Sequence, residues 1–221
     1  MAVELAKVSL WGTDIAVVSW NEKGRFAEFQ YTVEFVKFGI EVAPIMMPVR
    51  KEPYRFNALS YETYKGLPGL LADVLPDKFG NALIDQWLIK EHRSPESFNP
   101  VERLCYTGVR AMGALEFRPV TSPHQEGRDQ APIEIEKMVL LANKVLSSKN
   151  YELSALELRT NEMERILQVG TSAGGARAKA IINWNEKTGI IVAGHRQPEE
   201  GFGSWLIKFD GINENSDKEL A

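Results

Sequence analysis

The chain has 221 residues, 44% of them hydrophobic and 25% charged, with a formal net charge of −4. These are the values of a globular protein with one good core or two smaller ones, and they exclude a disordered or fibrous class. The negative balance does not favour a polyanion, so no direct nucleic-acid contact is expected, and the single cysteine excludes an intrachain disulfide, as in a reducing compartment.

The opening residues MAVELAKVSLWGTD lack a basic start followed by an apolar core, so no secretory signal is expected. No apolar run approaches membrane-spanning length, and the expectation is a cytoplasmic protein without a membrane partner. AKVSLWG, IAVVSWN and RFAEFQYT are short β-branched and aromatic runs broken by turn residues, which predicts a meander. LPDKFGNALIDQWLIKEH predicts a helix capped by Asp77, with Phe79, Leu83, Trp87 and Leu88 on one stripe. NPVERLCY predicts a second helix, with Asn99 as cap and Pro100 in the first position. Cys105, in the apolar setting RLCYTG, reads as buried and inert. RAMGALEFRP reads as a closing strand.

The polar stretch TSPHQEGRDQAP, residues 121–132, is the best domain boundary. Beyond it Ile135, Met138, Val139, Ala142, Val145 and Leu146 mark an amphipathic helix. Residues 153–169 read as a helix passing into a strand. AKAIINWN, a turn at residues 186–189, IIVAGH and GSWLIKFD then follow as β-structure.

The stretch QVGTSAGGARAKAIINWN places a glycine-containing loop between two strands. Gly170, Gly174 and Gly175 permit close approach and unusual dihedrals, and successive amides in such a loop form an anion-binding concavity. Ser172, Arg177 and Lys179 add donors and positive charge. The order is neither that of a P-loop nor that of a dinucleotide fingerprint, because no Gly-Lys-Ser/Thr is present and a strand follows. On these residues alone a flexible hairpin and a phosphate cradle fit equally well. In GSWLIKFD, alternation puts Trp205, Ile207 and Phe209 on one face and Leu206, Lys208 and Asp210 on the other. Lys208 reads either as a solvated edge lysine or as the strand lysine with which kinases reach nucleotide phosphates. The two features in this order favour a kinase-like N-lobe.

Four blocks, LADVLPDKFGNALID, NPVERLCYTGVRAMGALEF, VGTSAGGARAKAII and SWLIKFD, resemble the N-terminal half of the HipA family in family order. These are bacterial serine/threonine-kinase toxins of toxin–antitoxin modules. The resemblance implies an α+β chain: a small N-terminal α/β subdomain over residues 1–120, the linker, and an incomplete kinase-like N-lobe with an antiparallel sheet over residues 133–221, the C-lobe absent. It implies that Gly174, Gly175, Ala176, Arg177, Ala178 and Lys179 contact ATP phosphates and that Lys208 is the ATP lysine. Ser172 matches the family's regulatory autophosphorylation serine, where roughly two added negative charges would repel a nucleotide. A turn hydroxyl bonding its own backbone is the other reading of Ser172. The implied partners are a HipB-like helix-turn-helix antitoxin and a protein substrate, an aminoacyl-tRNA synthetase in the best-known members. The implied cofactor is ATP with Mg²⁺, whose ligands would lie in the missing C-lobe.

A kinase also needs an Asp to position the attacking hydroxyl and Asp and Asn ligands for Mg²⁺. Neither an H-x-D-x-x-x-x-N nor a D-F-G-type sequence occurs, and the chain stops at DGINENSDKELA, so no catalytic residue is expected here. Three readings follow: a portion of a HipA-like kinase, a non-catalytic subunit that docks on a separate C-lobe or antitoxin, and an unrelated small-molecule or peptide-binding domain. His92, His124 and His195 have no metal-ligand spacing partner, and no metal site is expected. No G-x-S-x-G elbow occurs, and Glu199-Glu200 reads as a solvated loop. Asp77 and Lys78 read as a cap and a surface charge, with a partner-contact patch as the other reading.

Overall fold

The computed structural model describes residues 3–111, 113–120, 140, 142, 178–194 and 198–209. The fold is α+β, with two antiparallel sheets among the described residues. The chain divides into two compact units, Met1–Leu75 with Glu96–Gln125, and Pro76–Pro95 with Glu126–Ala221. Residues 76–95, expected within the subdomain of the first 120 residues, pack with the second unit instead.

In the first unit the predicted meander is β1 (Leu5–Leu10), β2 (Thr13–Asn21) and β3 (Phe26–Tyr31), and the closing strand is β4 (Leu115–Pro119). The sheet order is β3-β2-β1-β4, all antiparallel. Ala6 and Val8, Val18 and Trp20, Phe29 and Tyr31, and Leu115 and Phe117 supply the buried face, as period-2 alternation requires. Each large side chain buried this way stabilises the fold by roughly 1.5–3 kcal/mol relative to exposure. Three one-turn helices, α1 (Val33–Val36), α2 (Tyr61–Tyr64) and α3 (Gly69–Ala72), lie in the connections. Such short helices carry too little periodicity to be read from a sequence.

β2 carries a bulge. Val8 pairs with Ala16 and Ser9 with Asp14, so Ile15 is the extra residue. The displacement sends both Ile15 and Ala16 into the core and turns Asp14 onto the opposite face. The Ile15 carbonyl accepts from the Thr32 amide at 2.9 Å. The β1–β2 turn places Trp11 and Gly12 at φ 49° and 77°, the left-handed pair that a two-residue hairpin demands. Gly66, at φ 79°, accepts from the Ala27 amide, and a Cβ there would stand 2.3 Å from the Arg25 carbonyl. Only glycine fits.

The helix of the second block is α5 (Pro100–Thr107), lying against β1, β2 and β4 with Val101 and Leu104 fully buried. Its start is the capping box that the sequence suggests. The Asn99 side chain accepts from the Glu102 amide, and the Glu102 carboxylate accepts from the Asn99 amide. Pro100 sits in the first turn, where its missing N–H costs nothing.

In the second unit the helix α4 (Lys78–Lys90) begins where Asp77 was expected to cap it. Phe79, Leu83, Ile84 and Leu88 are fully buried. Trp87 falls in the same arc, but its large ring stays partly open, and Ile84 takes its place among the enclosed residues. Of the amphipathic helix expected after the linker, Leu140 and Ala142 are described; both are helical and Ala142 is buried. The linker 121–132, residues 153–169 and the loop residues 170–177 lie outside the described residues. The β-run is β5 (Lys179–Trp184), β6 (Ile191–Ala193) and β7 (Gly203–Lys208), in the order β6-β5-β7. No helix among the described residues is long and apolar enough to cross a membrane.

Candidate functional site

β5 is the central strand of the second sheet and pairs with an antiparallel neighbour on each side. The β5–β6 turn is built by Asn185, whose side-chain oxygen accepts from the amides of Lys187 and Thr188, both at 3.1 Å. Gly194 ends β6 by approaching β5 closely. Its amide donates to the Ile181 carbonyl at 3.0 Å, and a Cβ on Gly194 would fall 2.5 Å from the Ile182 backbone.

The β5–β7 register fixes two faces. Lys179 pairs with Lys208, Ile181 with Leu206 and Asn183 with Ser204, while Ala180 pairs with Ile207 and Ile182 with Trp205. Residues directly opposite in an antiparallel pair project to the same side, with Cα atoms about 4.5–5.5 Å apart. The first three pairs therefore share one face, and it is polar at both ends. At one end the Ser204 hydroxyl donates to the Asn183 side-chain oxygen at 3.0 Å. At the other end stand the two lysines.

The lysines differ in what surrounds them. Lys208 is exposed, and among the described residues it has no ion-pair or hydrogen-bond partner. Lys179 is buried, its side chain 3% exposed, and its Nζ donates to Asp77 Oδ2 at 3.0 Å. Asp77 divides its carboxylate. Oδ1 accepts from the Gly80 amide at 2.8 Å and caps α4, while Oδ2 receives the lysine. Like charges directly opposite on paired strands repel, and this carboxylate neutralises one of the two. Asp77 was expected as a helix cap. The cap is present, and the side chain is only 7% exposed, because it is enclosed with Lys179.

Of the residues expected to hold phosphate, Ala178, Lys179 and Lys208 are described, and Gly174, Gly175, Ala176, Arg177 and the expected phosphosite Ser172 lie outside the described residues. Ala178 is fully buried, and its carbonyl accepts from the Phe209 amide at 3.0 Å. The alternation predicted for β7 holds, but the face of Trp205, Ile207 and Phe209 closes only toward its end. Trp205 is 44% exposed and Phe209 3%. The Trp205 ring leans on Trp184 instead, at 5.8 Å between centroids. Glu200 is exposed. Among the described residues no group of three His, Cys, Asp or Glu side chains is placed to hold a metal.

A second charged cluster lies on the outer face of the first sheet. The bulge presents Asp14 to Ser9, Lys7 and Arg118, which donate to its carboxylate at 2.7, 3.2 and 2.6 Å. Lys7 and Arg118 are cross-strand partners, so Asp14 offsets their repulsion. Partial burial pushes the Asp14 carboxyl up, but the hydrogen bonds from Ser9, Arg118 and Lys7 outweigh it and hold it down at about 2. Nothing local in the sequence signals this cluster, since it joins three strands through a bulge.

The profile of the HipA N-terminal domain matches residues 6–118, slightly more than half of the chain. The chain belongs to the HipA N-terminal domain family. Among solved structures it is similar to HipA of Shewanella oneidensis MR-1, determined in a complex with HipB and its operator DNA, at 18% identity and a TM-score of 0.49. That similarity covers 95% of this chain and 41% of the Shewanella chain, so this HipA-family sequence spans about two fifths of that relative's length. A search of curated proteins finds no match.

Proposed function

We propose that this chain is the N-terminal portion of a HipA-like serine/threonine-kinase toxin of a toxin–antitoxin module, and that the β5–β7 face with the preceding glycine loop is its part of an ATP site. The observation that carries the reading is Lys208: exposed, unpartnered among the described residues, and directly across from the strand residue that follows the glycine-rich stretch. An ammonium so placed is available to a phosphate oxygen. Ala178 contributes backbone at the loop's end, and Ser172 is the position at which phosphorylation would oppose the nucleotide. The chain supplies the phosphate-binding side of the site. The Asp that orients the acceptor hydroxyl and the Mg²⁺ ligands belong to another segment, joined to this one or encoded separately.

By the same reading the protein partner is a HipB-like helix-turn-helix antitoxin, and the phosphoacceptor is a protein of the translation apparatus such as an aminoacyl-tRNA synthetase.

Calorimetric titration of the 221-residue chain with Mg-ATP tests the nucleotide reading. The expected result is weak binding that falls at least about tenfold in Lys208→Ala, the loss of one charge-assisted contact. Tight binding indifferent to Lys208 rejects it.

A further inference from the structure

We propose that Asp77 is an internal counter-ion of Lys179, and that a polyphosphate docking on Lys208 competes with it for the Lys179 ammonium. The inference rests on the nucleotide reading for the identity of the ligand, but its own support is the geometry of three charges.

Lys179 and Lys208 are direct partners across β5 and β7 and project from the same face. One is exposed and the other is enclosed against a carboxylate at 3.0 Å. Asp77 does not need Lys179 in order to cap α4. Oδ1 already accepts from Gly80, and that bond survives if Oδ2 loses its lysine. A ligand with several negative charges that docks on Lys208 arrives within one interstrand spacing of the Lys179 backbone. It competes with Oδ2 for the same ammonium, and its phosphate oxygens offer that ammonium more negative charge than a single carboxylate does. Asp77 in turn keeps the paired lysines from repelling each other when no anion is present. The same carboxylate disfavours singly charged anions, which cannot displace it. The face is thereby selective for polyphosphates over chloride or carboxylates.

The test separates the cap from the counter-charge. Asn is as good a helix cap as Asp, so Asp77→Asn keeps the bond to Gly80 and removes the negative charge. The full-length chain, Asp77→Asn and Asp77→Asn/Lys179→Met are titrated with Mg²⁺-free inorganic tripolyphosphate and, separately, with ATP, with thermal unfolding as the control for folding. The expected result is tripolyphosphate affinity about tenfold tighter in Asp77→Asn, the gain of one charge-assisted contact, and a return to the starting value or below in the double variant. A purely structural ion pair lowers the unfolding temperature of Asp77→Asn without any gain in affinity, and that outcome overturns the inference. Should Asp77→Asn fail to fold, Lys179→Met alone decides: weakened tripolyphosphate binding supports the inference and unchanged binding overturns it. A gain with tripolyphosphate but no binding of ATP by any variant rejects the nucleotide reading and leaves the counter-ion standing. Lys208-dependent ATP binding without the gain rejects the counter-ion alone.

Discussion

At the scale of single residues, two carboxylates organise the polar chemistry, each placed by a feature of its strand or helix. The bulge turns Asp14 toward three donors from β1 and β4, and its pKa falls from 3.8 to about 2. A depressed carboxyl pKa contributes stability that is complete above about pH 4 and is lost as the pH falls through about 2. With the side chain near one-third exposed, solvent screening reduces the contribution to about 1 kcal/mol. Urea unfolding at pH 5 and pH 2 should therefore show the wild-type chain losing about 1 kcal/mol more than Asp14→Ala across that interval. Cys105 was read from its apolar neighbours as buried and inert. It is half-buried, and burial together with the nearby Glu102 pushes its thiol up to about 12, so the thiolate is scarce at neutral pH. Neighbours in sequence were enough for the inertness but not for the degree of burial. They were not enough for Asp77, whose partner lies 102 positions away.

At the scale of elements, what the sequence disclosed is what short-range chemistry decides. The cap of α4, the Asn99-Pro100 start of α5, the meander and the alternation of β7 all arise from residues within a few positions of one another. The bulge in β2 was hidden because IAVVSWN alternates acceptably with or without an extra residue, and only the pairing with β1 reveals Ile15 as surplus. Strand pairing also hid the lysine couple: Lys179 and Lys208 belong to different motifs and meet through register. The capping box of α5 gives the element-scale prediction. Replacing Asn99 by Ala leaves the Glu102 amide without its acceptor and removes the bond from the Asn99 side chain to the Val3 carbonyl. The expected cost is about 1–2 kcal/mol, read as a lower midpoint in urea with an unchanged slope.

At the scale of the whole molecule, the polar stretch at residues 121–132 looked like the place where one compact body gives way to the next. Composition marks such a stretch well, but it cannot reveal that an earlier helix has been lent to the later body. Residues 76–95 are that loan, because the Phe79, Leu83, Ile84 and Leu88 stripe of α4 and the Asp77–Lys179 pair need partners that come after residue 126. A piece comprising residues 1–120 should therefore keep slow amide hydrogen exchange in β1–β4 and α5, while α4 exchanges close to the rate of an unstructured peptide. Protection of α4 in that piece equal to its protection in the full chain would contradict the division. The chain thus passes from one body to the other three times, near residues 75, 95 and 125, and not once. A protease that nicks residues 121–132 leaves two fragments still interlocked, because the N-terminal one keeps a helix seated in its neighbour. Under native conditions they should travel as a single species, and only denaturant should part them.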